Sequence, residues 1–170
     1  MNAAELKSLQ APIKERYRNE PESAIITLRA QGKIGQGVTC SVATGKALVE
    51  AGLHPATGGN GLSVCSGDML LESLVACAGV TLRAVATALE IPLRDATVHA
   101  EGDLDFRGTL AVSKDVPVGF QNIRVRFDLD TDASEEQLAT LLKLTERYCV
   151  VYQTLAHPSK LDVSCQLLSR

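Results

Sequence analysis

The chain has 170 residues, enough for one domain that buries about two thirds of its unfolded surface without disulfide staples. Apolar residues make up 45% of it but aromatic ones only 4%, with no Trp, so the core is aliphatic and the stacking platforms used for single-stranded nucleic acids and sugars are missing. A net charge of −3, with both signs scattered along the chain, argues against a nucleic-acid partner.

The N-terminus, MNAAELKSLQAPIKERYRNEPES, lacks the apolar run of a targeting segment. Leu6, Leu9 and Ile13 recur at helical spacing, which predicts an amphipathic helical arm over 1–20, bent or ended near Pro12, ahead of a single domain over 21–170. SAIITLRA reads as a strand, GKIGQG as a turn, and VTCSVAT as a second strand, with a third short strand in KALVEAGL. A glycine-rich loop, HPATGGNGLSVCSGD, follows. It lacks the lysine and hydroxyl of a phosphate loop, and it leads into a helix that Ser66 or Asp68 is placed to cap.

That helix organises the chain. The run SGDMLLESLVACAGVTLRAVATALE over 66–90 is long enough for roughly six or seven turns. It is apolar on nearly every side, so it must be wrapped by a sheet or packed against a copy of itself. Asp68, Glu72 and Arg83 make it a poor membrane span. Ile91-Pro92 closes it. Strands follow at RDATVHAEGDLDF and NIRVRFDLD; in the second, Ile123, Val125, Phe127 and Leu129 alternate with Arg124, Arg126 and Asp128, the pattern of an antiparallel sheet with one wet face. Ser134 and Gln137 form a capping box for a last helix striped by Leu138, Leu141, Leu142 and Tyr148, which delivers Cys149 at its end. KLDVSCQLL is predicted to be the final strand, with Cys165 in the core. The order predicts an α+β fold with helices packed on an antiparallel sheet.

Five cysteines, Cys40, Cys65, Cys77, Cys149 and Cys165, include no CxxC pair. They fit neither a structural zinc site nor a secreted disulfide framework, and a free cysteine is ordinarily a small buried apolar residue. Cys77, near the middle of the long helix, has Ser73 and Thr81 one turn away on its own face. Those hydroxyls are placed either to donate to the sulfur or to bond back to helix carbonyls. His54, His99 and His157 show no ligand or triad spacing.

The stretch GGNGLSVCSGDMLLESLVACAGVTLRAVA, followed some seventy residues later by ERYCVVYQTL, resembles the OsmC/Ohr family of osmotically inducible and organic-hydroperoxide-resistance proteins. The resemblance implies an antiparallel sheet wrapped around the long helix, an intertwined homodimer, and a thiol-dependent peroxidase with no cofactor and no metal. It assigns Cys77 as the thiolate that attacks an organic hydroperoxide, and Cys149 as the thiol that resolves the resulting sulfenic acid as a disulfide, later reduced by a dithiol or small thiol. The family's glutamate before the helix is replaced by Ser66-Gly67-Asp68, leaving Asp68 as its stand-in. Its thiol-activating arginine comes from the N-terminal hairpin region, where Arg29 and Lys33 are the candidates. Val150 stands where the family often has proline. With free thiols the expected setting is cytoplasmic, without nucleic-acid or membrane partners. Three alternatives stand beside this reading: an OsmC-like protein that binds an apolar ligand or partner, a hotdog-type acyl-thioester hydrolase, and, more remotely, a zinc-binding module.

Overall fold

A computed structural model describes residues 2–19, 32–34, 39–43 and 48–167. The chain opens with α1 (Ala3–Asn19), which lies against the long central helix and runs through Pro12 without ending there. The predicted strand over 23–30 falls outside the described residues. β1 (Gly32–Ile34) occupies the start of the expected turn, and it pairs antiparallel with β2 (Thr39–Ala43), which pairs antiparallel with β3 (Leu48–Gly52). A 3-10 turn at Pro55–Thr57 leads to β4 (Val64–Cys65), which adds to β3 in parallel.

β4 passes directly into α2 (Ser66–Ala88). Cys65 is its N-cap without a side-chain capping bond, so neither Ser66 nor Asp68 takes the capping role expected of it. Asp68 lies in the first turn, where a negative charge complements the helix dipole. At the other end the Ile91 N–H bonds to the Ala86 carbonyl and the Glu90 N–H to that of Thr87. This Schellman closure forces Glu90 into the left-handed region at φ 55°, at a cost of about 1–2 kcal/mol for a residue with a Cβ.

β5 (Asp95–Leu104) and β6 (Phe120–Asp130) form a second, antiparallel two-stranded sheet, with the turn of helix α3 (Phe106–Thr109) in the connection between them. Their period-2 alternation holds as expected. Ile123, Val125, Phe127 and Leu129 are half-buried and pack toward α2, while the outer face carries a charged ladder of Arg124 with Asp103, Arg126 with Asp128, and His99 with Asp128. α4 (Glu135–Tyr148) and α5 (Val150–Ala156) complete the described elements.

The core has two parts joined by α2. Leu82, Val85 and Ala86 pack with Ile91, Leu93 and Leu141 at one end. Leu74 and Ala78 pack with Cys149 at the other, over Val98, Ala100 and Val125. The expectation of a helix covered on every side meets a different result within a single chain. Leu74, Ala78, Leu82 and Val85 are buried, but Ser73, Ala76, Val80 and Arg83 form an exposed stripe, with Val80 at 74% exposure. The predicted C-terminal strand does not form among the described residues: 157–167 has no ladder partner among them, Leu161, Val163 and Leu167 are almost fully exposed, and Cys165 is exposed and not in the core. Alternation alone cannot make a strand without an edge to pair with.

Candidate active site

The site is built where α4 breaks into α5. The capping box starts α4 as predicted: Ser134 Oγ accepts from the Gln137 N–H, and the Gln137 side chain accepts from the Ser134 N–H. Leu141 and Thr145 then face α2, fully buried, and the Thr145 hydroxyl donates to the Leu141 carbonyl at 2.8 Å, so it is satisfied without water. At Cys149 the backbone becomes extended (φ −73°, ψ 108°), and a separate helix restarts at Val150. The Cys149 N–H still bonds to the Thr145 carbonyl and its carbonyl accepts from the Gln153 N–H, both at 2.9 Å. Cys149 is therefore the C-cap of one helix and the N-cap of the next, and its side chain bonds no first-turn N–H of α5 in a capping role.

This corner seats Cys149, 1% exposed, against the half-buried Cys77 of α2. The two side chains pack in one cluster, and each shifts the ionisation of the other. Burial pushes the Cys77 thiol up, but the Val151 N–H, the Cys149 thiol, the Val150 N–H and the Thr81 hydroxyl together outweigh it and hold Cys77 below the ordinary thiol range. For Cys149 burial also dominates; the Tyr152 N–H opposes it, the negative charge of Cys77 reinforces it, and the Cys149 thiol ends above the ordinary range. The proton affinities of the two thiols are thus driven apart, that of Cys77 downward and that of Cys149 upward. The Thr81 hydroxyl helps less than its position implies, because its single proton is directed to the Cys77 carbonyl at 2.8 Å. Ser73 likewise bonds back, to Leu70.

Residues 58–164 match the sequence profile of the family described as OsmC-like protein. The chain belongs to the OsmC-like protein family. Among solved structures it is similar to an OsmC-like protein from Mycoplasma pneumoniae (TM-score 0.66, 14% identity, covering 78% of this chain and 89% of that one). It is also similar to an organic hydroperoxide resistance protein from Elizabethkingia anophelis (TM-score 0.64, 14% identity, 79% and 91%). A third is an organic hydroperoxide resistance protein OsmC from Legionella pneumophila (TM-score 0.62, 18% identity, 79% and 92%). At these identities the likeness establishes the α+β OsmC-like fold around its long apolar helix. No curated protein matches the chain.

Of the residues expected in an OsmC-like site, the fold brings together Cys77 and Cys149. Asp68 lies in the same unbroken helix as Cys77 but nine residues earlier, about 13 Å along the axis. It lines a separate recess of about 370 Å³ with His54, Cys65, Asp103 and Phe106, so within one chain it does not reach the pair. Arg29 falls outside the described residues; Lys33 falls in β1, and its side chain is likewise outside them. Among the described residues the strongest influences on Cys77 include no cation. The histidines stay apart: His54 stacks on Phe106 at 5.1 Å, His99 bonds Asp128 at 2.9 Å, and His157 caps the end of α5. Among the described residues no three His, Cys, Asp or Glu side chains gather as a metal site.

The groups near the two thiols that residue patterns miss are main-chain ones, the N–H groups of Val150, Val151 and Tyr152, which lower the proton affinity of the sulfurs. VVYQTLA continues the apolar run of α4 with neither glycine nor proline to announce a break. Beside Cys149, on the side bounded by β6, lies a cavity of about 410 Å³ walled by Leu74, Ile123, Phe127, Tyr152 and Leu155. Cys149 lines this cavity and Cys77 does not.

Proposed function

We propose that this OsmC-like protein is a thiol-dependent peroxidase for organic hydroperoxides. The observation that carries the reading is the pair of thiols packed together in the core, whose proton affinities are driven apart, Cys77 down and Cys149 up. The Cys77 thiolate attacks the terminal oxygen of the hydroperoxide and the O–O bond breaks. Sulfur is oxidised to the sulfenic acid and the alkoxide leaves, taking the proton of the Cys149 thiol to become the alcohol. Cys149, now a thiolate, attacks the Cys77 sulfur; the S–S bond forms, hydroxide leaves, and solvent protonates it to water. A dithiol or small thiol then reduces the disulfide by exchange, returning two thiols in the reducing, cytoplasmic setting that the free cysteines favour.

The same proposal includes a homodimer. The exposed stripe of α2 with Val80 and Ala76, and the unpaired segment with Leu161, Val163 and Leu167, are apolar surfaces a lone chain leaves in water. A second copy offers both a helix face and a strand edge to cover them.

The test is consumption of cumene hydroperoxide with dihydrolipoate or dithiothreitol as reductant. Turnover that disappears in Cys77→Ser and falls in Cys149→Ser supports the proposal; turnover that survives Cys77→Ser refutes it. A second reading, binding of an apolar ligand, is favoured by the cavity that meets Cys149 and not Cys77. Its mark is a binding isotherm for an alkyl chain that Cys77→Ser leaves unchanged.

A further inference from the structure

We infer that Glu146 makes the cavity beside Cys149 selective for an uncharged alkyl or aryl chain over one that ends in a carboxylate. The cavity has a floor and a mouth. Leu74, Ala78 and Cys149 are buried and close its inner end, whereas Gln121, Asn122 and Glu146 are exposed and mark where it opens to water. Between the two, β6 walls it with apolar side chains, and its volume of about 410 Å³ is in the range of small-molecule sites. Glu146 carries the one charge among the described lining residues, and that charge is negative. The Gln153 side-chain amide donates to the Glu146 carbonyl at 2.8 Å, tying the last turn of α4 to α5 and fixing the backbone under the carboxylate.

Little at the mouth offsets this charge. No cation among the described residues is paired with Glu146. Arg147, the next residue, lies over the Tyr148 ring at 5.7 Å and lines a different depression with His157. Lys143, one turn earlier, is exposed and outside the lining. Donors that could hold a carboxylate are spent elsewhere. The Gln121 amide donates to the Pro117 and Gly119 carbonyls, each at 3.2 Å, and the Thr145 hydroxyl to that of Leu141. A chain end that is an ester, an amide or plain hydrocarbon meets no penalty here, but a carboxylate gives up water to face a like charge.

The inference deepens the proposed reaction and rests on it for orientation: a hydroperoxide whose O–O end lies at the floor, beside the packed thiols, extends its far end to Glu146. Its test does not depend on turnover. Octanoate and octanamide share one chain and differ in charge, and calorimetric titration of the full chain gives the ratio of their affinities. Comparing that ratio between variants removes the intrinsic difference in hydration of the two probes. Because Glu146 is exposed and screened, Glu146→Gln is expected to raise the octanoate-to-octanamide ratio by about three- to tenfold. Glu146→Lys should raise it further, and ~1 M salt should shrink both changes. A ratio that Glu146→Gln leaves unmoved overturns the inference, as does a change that salt does not affect, or a cavity that binds neither probe. Turnover separates the two claims. A cumene hydroperoxide bearing a ring carboxylate that is consumed with the same KM as the parent compound, in wild type and Glu146→Gln alike, overturns the inference and leaves the peroxidase standing. The expected charge preference in binding, with hydroperoxide left intact, overturns the peroxidase and leaves the inference standing.

Discussion

Oxidation should make this protein substantially harder to unfold. Cys77 and Cys149 lie 72 positions apart, so a bond between them closes a loop through β5, β6 and α4. The chain-entropy relation gives about 4 kcal/mol of stabilisation for a loop of that length. Little of it should be lost to strain, since the side chains already pack against each other and need only close to the S–S distance of about 2.05 Å. For a chain of this size each kcal/mol raises the melting temperature by about 2–4 °C, so one equivalent of hydroperoxide should raise it by about 8–16 °C. The assay is thermal and urea unfolding at fixed protein concentration, before oxidation, after it, and after re-reduction. Cys149→Ser should show no gain. A gain that persists in Cys149→Ser, or oxidised and reduced protein that unfold together, would refute the reasoning, because the loop would not have been closed by this pair.

The remaining predictions concern titration, packing and assembly. Because Cys77 is depressed when folded, its ionised form is the stabilised one; that stabilisation is present above the unfolded value and lost as pH falls through the folded one. Reaction with hydroperoxide, followed by stopped flow, should therefore rise with pH and level off below the ordinary thiol range of about 8.5. Cys149 carries the opposite sign: its stabilisation is present at low pH and lost as pH climbs through its raised value, so Cys77→Ser, which removes the facing charge, should move the Cys149 titration downward. In Gly102→Ala the new Cβ would fall 2.5 Å from two ring carbons of Phe120; overpacking of this kind costs about 1–3 kcal/mol, read as a lower urea midpoint that Phe120→Leu should largely restore. Val163 is 98% exposed in the single chain, so Val163→Asp should be silent if the segment stays in water and should yield monomers by light scattering if a second copy covers it.

How much of this was legible in the sequence follows from which interactions are local. The capping box of α4 needs only Ser134 and Gln137, and it formed as read. The alternation along β6 sorts Ile123 and Val125 inward from Arg124 and Arg126 outward without reference to the rest of the chain. The long apolar run became α2 for the same reason. The two motif cysteines were legible as residues of interest, but their surroundings were not. The break at Cys149 depends on one backbone ψ value in an apolar run with no glycine or proline. The segment 157–167 failed as a strand because alternation states which face a strand would bury and not what it pairs with. Asp68, the expected stand-in for the family's glutamate, is kept from Cys77 within one chain by nine residues of one helix.

The most direct test of the account is peptide mapping of the native protein after one equivalent of cumene hydroperoxide, with remaining thiols alkylated before digestion. The account predicts rapid loss of two thiols, a Cys77–Cys149 crosslinked peptide, and in Cys149→Ser a sulfenic acid trapped on Cys77. Survival of both thiols, or oxidation that settles on exposed Cys165 while Cys77 remains alkylatable, would contradict it.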